Sequence, residues 1–247
     1  MKVKFATFNI CHCGDYRGWK KGDPLPVNVE NIANTIANLH AEIVGLNEVY
    51  TSDKENEYRD QTERLAKLAG YPYCVFAAGK KFDRGTIGNA ILSKYPITSV
   101  EKIAVPAPLE SERVVTETKW YEDRVLLCAE MDINGQNVRV ISTHFGLNNL
   151  EQLRIVAAAL PLLDESEKVV FMGDFNAQPK NAVLSPIYER LVSAADEMGN
   201  SDFTFASYEP MEQIDYIFHS KGIKTLSYQV HKVIASDHMP LTAELDF

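Results

Sequence analysis

The stretch Gly173-Asp174-Phe175-Asn176 follows an apolar run, "KVVFM", and is closed by Pro179. Asp174 and Asn176 stand two apart at the end of what reads as a core strand. Two oxygen-bearing side chains in that position are able to hold a metal, a water or a phosphate. Comparable residues stand at the ends of other apolar runs. Asn9 ends the first, Glu48 lies near the end of "IVGLNEV", and His144 ends "QNVRVISTH". Asp215 opens "DYIF", and Asp237 and His238 directly precede the last run. Taken singly, each has an ordinary use as a strand-end cap, a solvated acid, a hydrogen-bonded histidine or a turn residue. Their joint placement at strand ends points to a shared site. The oxygen donors Glu48, Asp237 and Asn9 suit a hard cation, Mg2+ or Mn2+, more than zinc. Histidines beside carboxylates serve as acid, base or oxyanion donor. Asp215 is suited to orient His238 and favour its protonated form. With no Gly-rich phosphate loop present, the set spells hydrolysis of a phosphoester.

These residues meet only if the elements bring them together. Strand-like runs recur along the chain: "KVKFATFN", "EIVGLNEV", "YCVFAA", "NAILSK", "RVLLCAEMDI", "QNVRVISTH", "KVVFMGDF", "IDYIFHS" and "MPLTAEL". Helical patterns lie between them. One places Val29, Ile32, Ala33 and Ile36 on one face, a second closes on Gly70, and a third runs from about Leu150 to Pro161. Asn134-Gly135 separates two strand patterns and predicts a two-residue hairpin pairing 124–133 with 136–143. The fold class is therefore α/β, with mixed sheets and helices outside, as one domain over 1–247. Asn9, Glu48, His144 and Asp174 lie at C-terminal strand ends; Asp215, Asp237 and His238 lie at N-terminal ends. If the late strands run antiparallel to the early ones, all share one rim.

Bulk composition narrows the function. Hydrophobic residues are 45% and charged residues 24% of the 247, the profile of a soluble globular protein. No run approaches the ~18 apolar residues of a membrane span. The start, "MKVKFATFNI", reads as a strand rather than a signal peptide, which places the expected location in the cytoplasm. A secreted protein whose leader had been removed would read the same. The net charge of −9 argues against gripping long nucleic acid by charge alone. Four cysteines are too few for a disulfide framework, and Cys74 and Cys128, in apolar runs, are expected as buried thiols. The Cys11-His12-Cys13 triplet has no second Cys/His pair at zinc spacing, which argues against a zinc site.

The segments "TFNI" (7–10), "IVGLNEV" (43–49), "GNAILSKYPI" (88–97), "STHF" (142–145), "GDFNAQP" (173–179), "IDYIF" (214–218) and "SDHMPL" (236–241) together resemble the endonuclease/exonuclease/phosphatase superfamily, with its deoxyribonuclease-I-like fold. They occur in the family's order across nearly the whole chain. The resemblance implies a four-layer sandwich, two mixed β-sheets packed face to face with helices on the outside. It implies hydrolysis of phosphodiesters or phosphomonoesters with a divalent cation, usually Mg2+. Carried over, Glu48 is the principal metal ligand, supported by Asn9. Asp174 positions or deprotonates the water, and Asn176 orients nucleophile or phosphate. His144 and His238 hold phosphate oxygens, Asp215 pairs with His238, and Asp237 lies at the metal or bridges to a histidine. Arg124 resembles the family's arginine near the phosphate. One metal or two, and histidine or aspartate as base, stay open.

Loops choose the substrate in such a family. The segment 11–26 carries Arg17, Trp19, Lys20 and Lys21, and 79–89 carries Lys80, Lys81 and Arg84. Cations beside an aromatic suit a phosphate on a ring, which makes Trp19 a candidate for substrate binding. No long apolar insertion suits a bilayer, no basic stripe suits a DNA backbone, and no obligate protein partner is evident. The expected substrate is small or short and phosphorylated. A DNA or RNA nuclease is the alternative, and a binding module that has lost catalysis is disfavoured because no catalytic position is missing.

Overall fold

In the computed structural model, which describes residues 1–52, 59–83, 85–114, 120–163 and 167–247, the first strand already shows how the layers form. In β1 (Lys2–Asn9), Val3 and Phe5 enter one buried cluster, while Ala6 and Phe8 enter another. Alternation with period two thus commits both faces of the strand to cores.

The chain continues through α1 (Val29–Asn38), β2 (Ile43–Thr51), α2 (Gln61–Ala69), β3 (Tyr73–Phe82), β4 (Gly85–Ser93), β5 (Ile97–Val105), β6 (Arg124–Ile133) and β7 (Gln136–His144). It ends through α3 (Asn149–Ala159), β8 (Val169–Asp174), α4 (Ser185–Tyr188), β9 (Leu191–Ser193), α5 (Ala194–Glu197), β10 (Asp215–Ser220), β11 (Lys224–Val230) and β12 (Leu241–Asp246). One sheet has the order β11-β12-β1-β2-β4-β3, and the other β5-β6-β7-β8-β10-β9. Both are mixed. β1–β2 and β7–β8 are parallel and joined by α1 and α3; the remaining pairs are antiparallel. A parallel pair needs such a crossover, whereas an antiparallel pair closes with a turn.

Three cores follow. Between the sheets lie Phe5, Ile43, Leu127, Val140, Met172, Ile217 and Leu241. Phe8, Leu46, Ile32, Ile36 and Leu65 join the first sheet to α1 and α2. Phe171, Phe218, Ile155 and Val156 join the second sheet to α3. Helix, sheet, sheet and helix are thus stacked as four layers. Burial of one large apolar side chain contributes ~1.5–3 kcal/mol, so the alternation of each inner strand is strongly enforced.

The local signals act as their chemistry requires. Asn28 caps α1 by accepting the Asn31 N–H, Gly70 ends α2 at φ 78°, and Pro161 falls where α3 tightens into a 3-10 turn. Asn134 and Gly135 have φ of 53° and 83°, the two left-handed positions of a tight hairpin, and Ile133 pairs with Gln136. β5, β9 and β11 were not expected. β5 and β11 are sheet edges with largely exposed or half-buried side chains, and β9 is a three-residue edge. Cys128 is buried as expected, but Cys74 is only half-buried, on edge strand β3. Arg84 lies outside the described residues. Among the described residues no helix is long and apolar enough to cross a membrane.

Candidate active site

The inter-sheet core turns polar at one end. Val138 and Val140 of β7, Val170 and Met172 of β8, and Ile217 of β10 all face the gap between the sheets. Period two then sends His144, Asp174 and Asp215 to the same face. In β1 it does the same for Asn9. Register brings these residues side by side: His144 is opposite Asp174, Asp174 opposite Asp215, and Asn9 opposite Asn47. The shared rim expected from strand directions is present.

Glu48 reaches the rim differently. Regular alternation after Leu46 would turn it toward the helices. The β2–β4 register instead shifts between Leu46 and Val49, and Glu48 adopts φ 55°. This bulge swings the carboxylate into the cleft and returns Val49 to the helix-side core. A left-handed non-glycine residue costs ~1–3 kcal/mol, which the surrounding sheet must offset.

The motif Gly-Asp-Phe-Asn divides its work by residue. Gly173 has φ 146°, and a Cβ there would lie 1.9 Å from the Thr143 carbonyl oxygen, so only glycine lets β8 lie this close to β7. Asp174 enters the cleft. Phe175 packs among Phe145, Phe171, Tyr216 and Phe218, with ring centroids 4.6–5.4 Å away. Asn176 donates its amide to the Phe145 carbonyl at 2.9 Å, and its backbone N–H donates to Asp174 Oδ1 at 2.9 Å. Below the rim, fully buried Asn47 donates to the Thr143 carbonyl and to Asn89 Oδ1, and accepts the Asp174 N–H at 3.0 Å. Asn89 donates in turn to the Val125 carbonyl. Two amides thus tie the first sheet to the second beneath Asp174.

Asn9 contributes nitrogen rather than oxygen. Its Oδ1 accepts the Cys11 N–H at 3.1 Å, and its Nδ2 donates to both Glu48 Oε1 and Asp174 Oδ2 at 3.1 Å. As placed, it holds the two carboxylates and does not present an oxygen to a cation. Burial pushes the Asp174 carboxyl up to about 7, with the His238 charge opposing that rise. Burial also raises Asp237, which accepts from Ser236 Oγ at 3.0 Å and lines the same cleft.

The histidines differ in protonation. Arg124 Nη1 lies 3.1 Å from His144 Nδ1. A guanidinium only donates, so Nδ1 is the acceptor and Nε2 carries the proton. Burial, reinforced by Arg124, holds His144 well below its ordinary pKa. It therefore presents a neutral N–H, 3.4 Å from Asp174 Oδ2. His238 Nδ1 lies 2.9 Å from Asp215 Oδ2, and its Nε2 lies 3.5 Å from Asp174 Oδ2. Burial alone would lower its pKa, but Asp215 and then Asp174 outweigh burial and hold it at about 10. Asp174, Asp215 and His238 fall within one ligand sphere, yet the imidazole itself lies between the carboxylates, hydrogen-bonded to Asp215 and ion-paired with Asp174, and fills the space a cation would need.

The walls were less legible. The cleft encloses about 480 Å³, and Lys80, Phe82, Trp120, Glu122 and Leu147 line it outside the polar rim. Lys80 and Arg124 both contact Glu122, at 2.5 and 3.3 Å. Trp120, 68% exposed, is the indole at this mouth. Trp19 is not among the lining residues; its N–H donates to the Asp23 carbonyl and its ring packs on Tyr16 and Tyr208. Arg17 is tied to Asp15. His12, set aside as part of a zinc-like triplet, lines the cleft beside Glu48, with its Nε2 3.4 Å from Glu48 Oε2.

The donor set fits a divalent cation. Glu48 and Asp237 face one cleft with Asp174 between the histidines, and burial raises the carboxyls of Asp174 and Asp237.

The sequence profile of the Endonuclease/Exonuclease/phosphatase family matches residues 6–238, which spans the site from Asn9 to His238. The chain belongs to this family. The uncharacterized protein YbhP of Escherichia coli K12 is 28% identical over 222 residues, covering 83% of this chain and 80% of YbhP. An endonuclease/exonuclease/phosphatase from Beutenbergia cavernae superposes with a TM-score of 0.80 at 24% identity, covering 100% of this chain and 72% of that one. A mannosyl-6-phosphatase from Bacteroides thetaiotaomicron superposes with a TM-score of 0.73 at 15% identity, covering 99% and 100%. These two likenesses establish the shared fold.

Proposed function

We propose that this protein hydrolyses phosphoesters of small phosphorylated substrates with the aid of Mg2+ or Mn2+. The observation that carries this reading is the convergence of Asn9, His144 and His238 on Asp174 at the mouth of a cleft rich in carboxylates. Family membership and the fold shared with a phosphatase support it.

Each side chain has a role that follows from its surroundings. Glu48, with Asp237 across the cleft, would hold the cation. When bound, it supplies the positive charge that lets a phosphate approach and polarises its oxygens. Asp174, buried between the two histidines and held by Asn9, is placed to orient and deprotonate the attacking water. The His144 N–H and the charged His238 N–H flank Asp174 and donate to phosphoryl oxygens as charge builds on them. Asn9 keeps Glu48 and Asp174 in place, Asn176 orients the phosphate or the water, and Arg124 fixes the His144 tautomer.

The walls favour a small substrate. A cleft of about 480 Å³ is within the usual small-molecule range. Trp120, Phe82 and Leu147 offer apolar surface to a substrate ring or chain. Among the described residues that line the cleft, Lys80 and Arg124 are both engaged by Glu122, which disfavours them as contacts for a nucleic-acid backbone. The test is a screen of purified protein with Mg2+ or Mn2+ against phosphomonoesters, phosphodiesters and labelled single- and double-stranded DNA. Turnover is expected on small esters. Cleavage confined to the DNA substrates would replace this reading with that of a nuclease.

A further inference from the structure

We propose that His12 adds a nitrogen ligand beside Glu48 and turns the cation site toward Mn2+ over Mg2+. This rests on the reading of Glu48 as a cation ligand, and it concerns which ion that site selects.

The ring of His12 is fixed in a specific orientation. Cys11, His12 and Cys13 have φ of 39°, 55° and 63°, three successive left-handed residues of which none is glycine. That backbone is held from outside. Fully buried Gln61 donates from Nε2 to the His12 carbonyl at 2.8 Å and accepts the Tyr50 N–H at 2.9 Å, which joins the His12 turn to β2. The His12 ring meets Tyr50 edge-on at 6.1 Å. His12 Nδ1 lies 3.0 Å from the Glu48 carbonyl oxygen. A carbonyl only accepts, so Nδ1 is the donor and the neutral ring carries its lone pair on Nε2. That nitrogen lies 3.4 Å from Glu48 Oε2, and both side chains are open to the cleft. Two ligands at roughly right angles, each about 2.1 Å from one ion, would stand about 3 Å apart.

The other two cleft histidines are committed elsewhere. His144 uses Nδ1 to accept from Arg124 and carries its proton on Nε2. His238 is bridged between Asp215 and Asp174. Of these three, His12 places its Nε2 nearest to the Glu48 carboxylate, at 3.4 Å against 4.0 Å for His144, while Cys11 Sγ falls within 4.8 Å of both ligand atoms. Imidazole nitrogen binds first-row transition ions more readily than Mg2+, which prefers oxygen.

The experiment is Mn2+ binding to the full chain, read by electron spin-echo modulation and by titration, in wild type, His12→Gln and Glu48→Gln. Modulation from a directly bound imidazole 14N is expected in wild type and should vanish in His12→Gln. That substitution should weaken Mn2+ by about tenfold or more and Mg2+ by much less. If wild type shows no 14N modulation, or if it survives in His12→Gln, the proposal fails and His12 is only an ion-pair partner of Glu48. Glu48→Gln separates the two levels. Loss of Mn2+ affinity there keeps the cation site even when His12 fails, whereas unchanged affinity removes Glu48 as a ligand and the proposal with it.

Discussion

At His238 two opposing effects meet, and their balance decides what the residue is able to do. Burial favours the neutral ring, while Asp215 and Asp174 favour the imidazolium and hold its pKa at about 10. Asp215→Asn keeps the shape and removes the larger of those charges. In the cation-free protein, the wild-type ring is expected to keep both its protons between about pH 6 and 9, read from its 15N shifts and apart from the smaller response to ionisation of Asp174, whereas in Asp215→Asn burial should bring the pKa back toward or below the ordinary ~6.5. The linkage has a definite sign. A histidine with a raised folded pKa contributes stability that is full below about 6.5 and is lost as pH rises through about 10. Turnover should fall about a hundredfold in kcat with a smaller change in KM. The double variant with His238→Ala should be little worse than His238→Ala alone, since the two act as a unit. Loss of a ring proton near pH 6.5 in both proteins, or simple additivity in the cycle, would contradict the pairing.

Two strand irregularities build the site at the level of elements: the bulge that re-aims Glu48 and the contact that Gly173 permits between β8 and β7. Gly173→Ala would place a Cβ against the Thr143 carbonyl at a φ that L-residues avoid. It is expected to lower stability by about 3 kcal/mol or more in denaturant unfolding, and a loss under about 1 kcal/mol would show that the strands separate easily. The inner strands and the polar residues at their ends were legible because burial on both faces leaves continuous apolar runs that stop where polar chemistry begins. β5 and β11 were not, since "ITSVEKIAV" and "KTLSYQV" carry the mixed polarity of sheet edges. His12 was hidden for a different reason. Its position depends on three left-handed residues and a bulge in another strand, neither of which has a local sequence pattern. The kind of aromatic wall was anticipated but its owner was not. Trp19 packs on Tyr16 and Tyr208 and Trp120 takes the mouth, because loop side chains have no period from which a direction follows.

For the whole molecule, the question is how a chain of net charge −9 accepts an anion at the end of its own core. The stacked sheets supply a rigid mouth, and Asn47 and Asn89 lock it from below. In the proposed function a cation held by Glu48 and Asp237 would offset the carboxylates that face an incoming phosphate. The most direct test is steady-state turnover on the best substrate from the screen, after removal of divalent ions and during titration with Mg2+ and Mn2+, in wild type and Glu48→Gln. Turnover should disappear in chelator and return saturably with cation, and Glu48→Gln should need about tenfold more cation or above for half-maximal rate. Full turnover by the wild type in excess chelator would contradict the account.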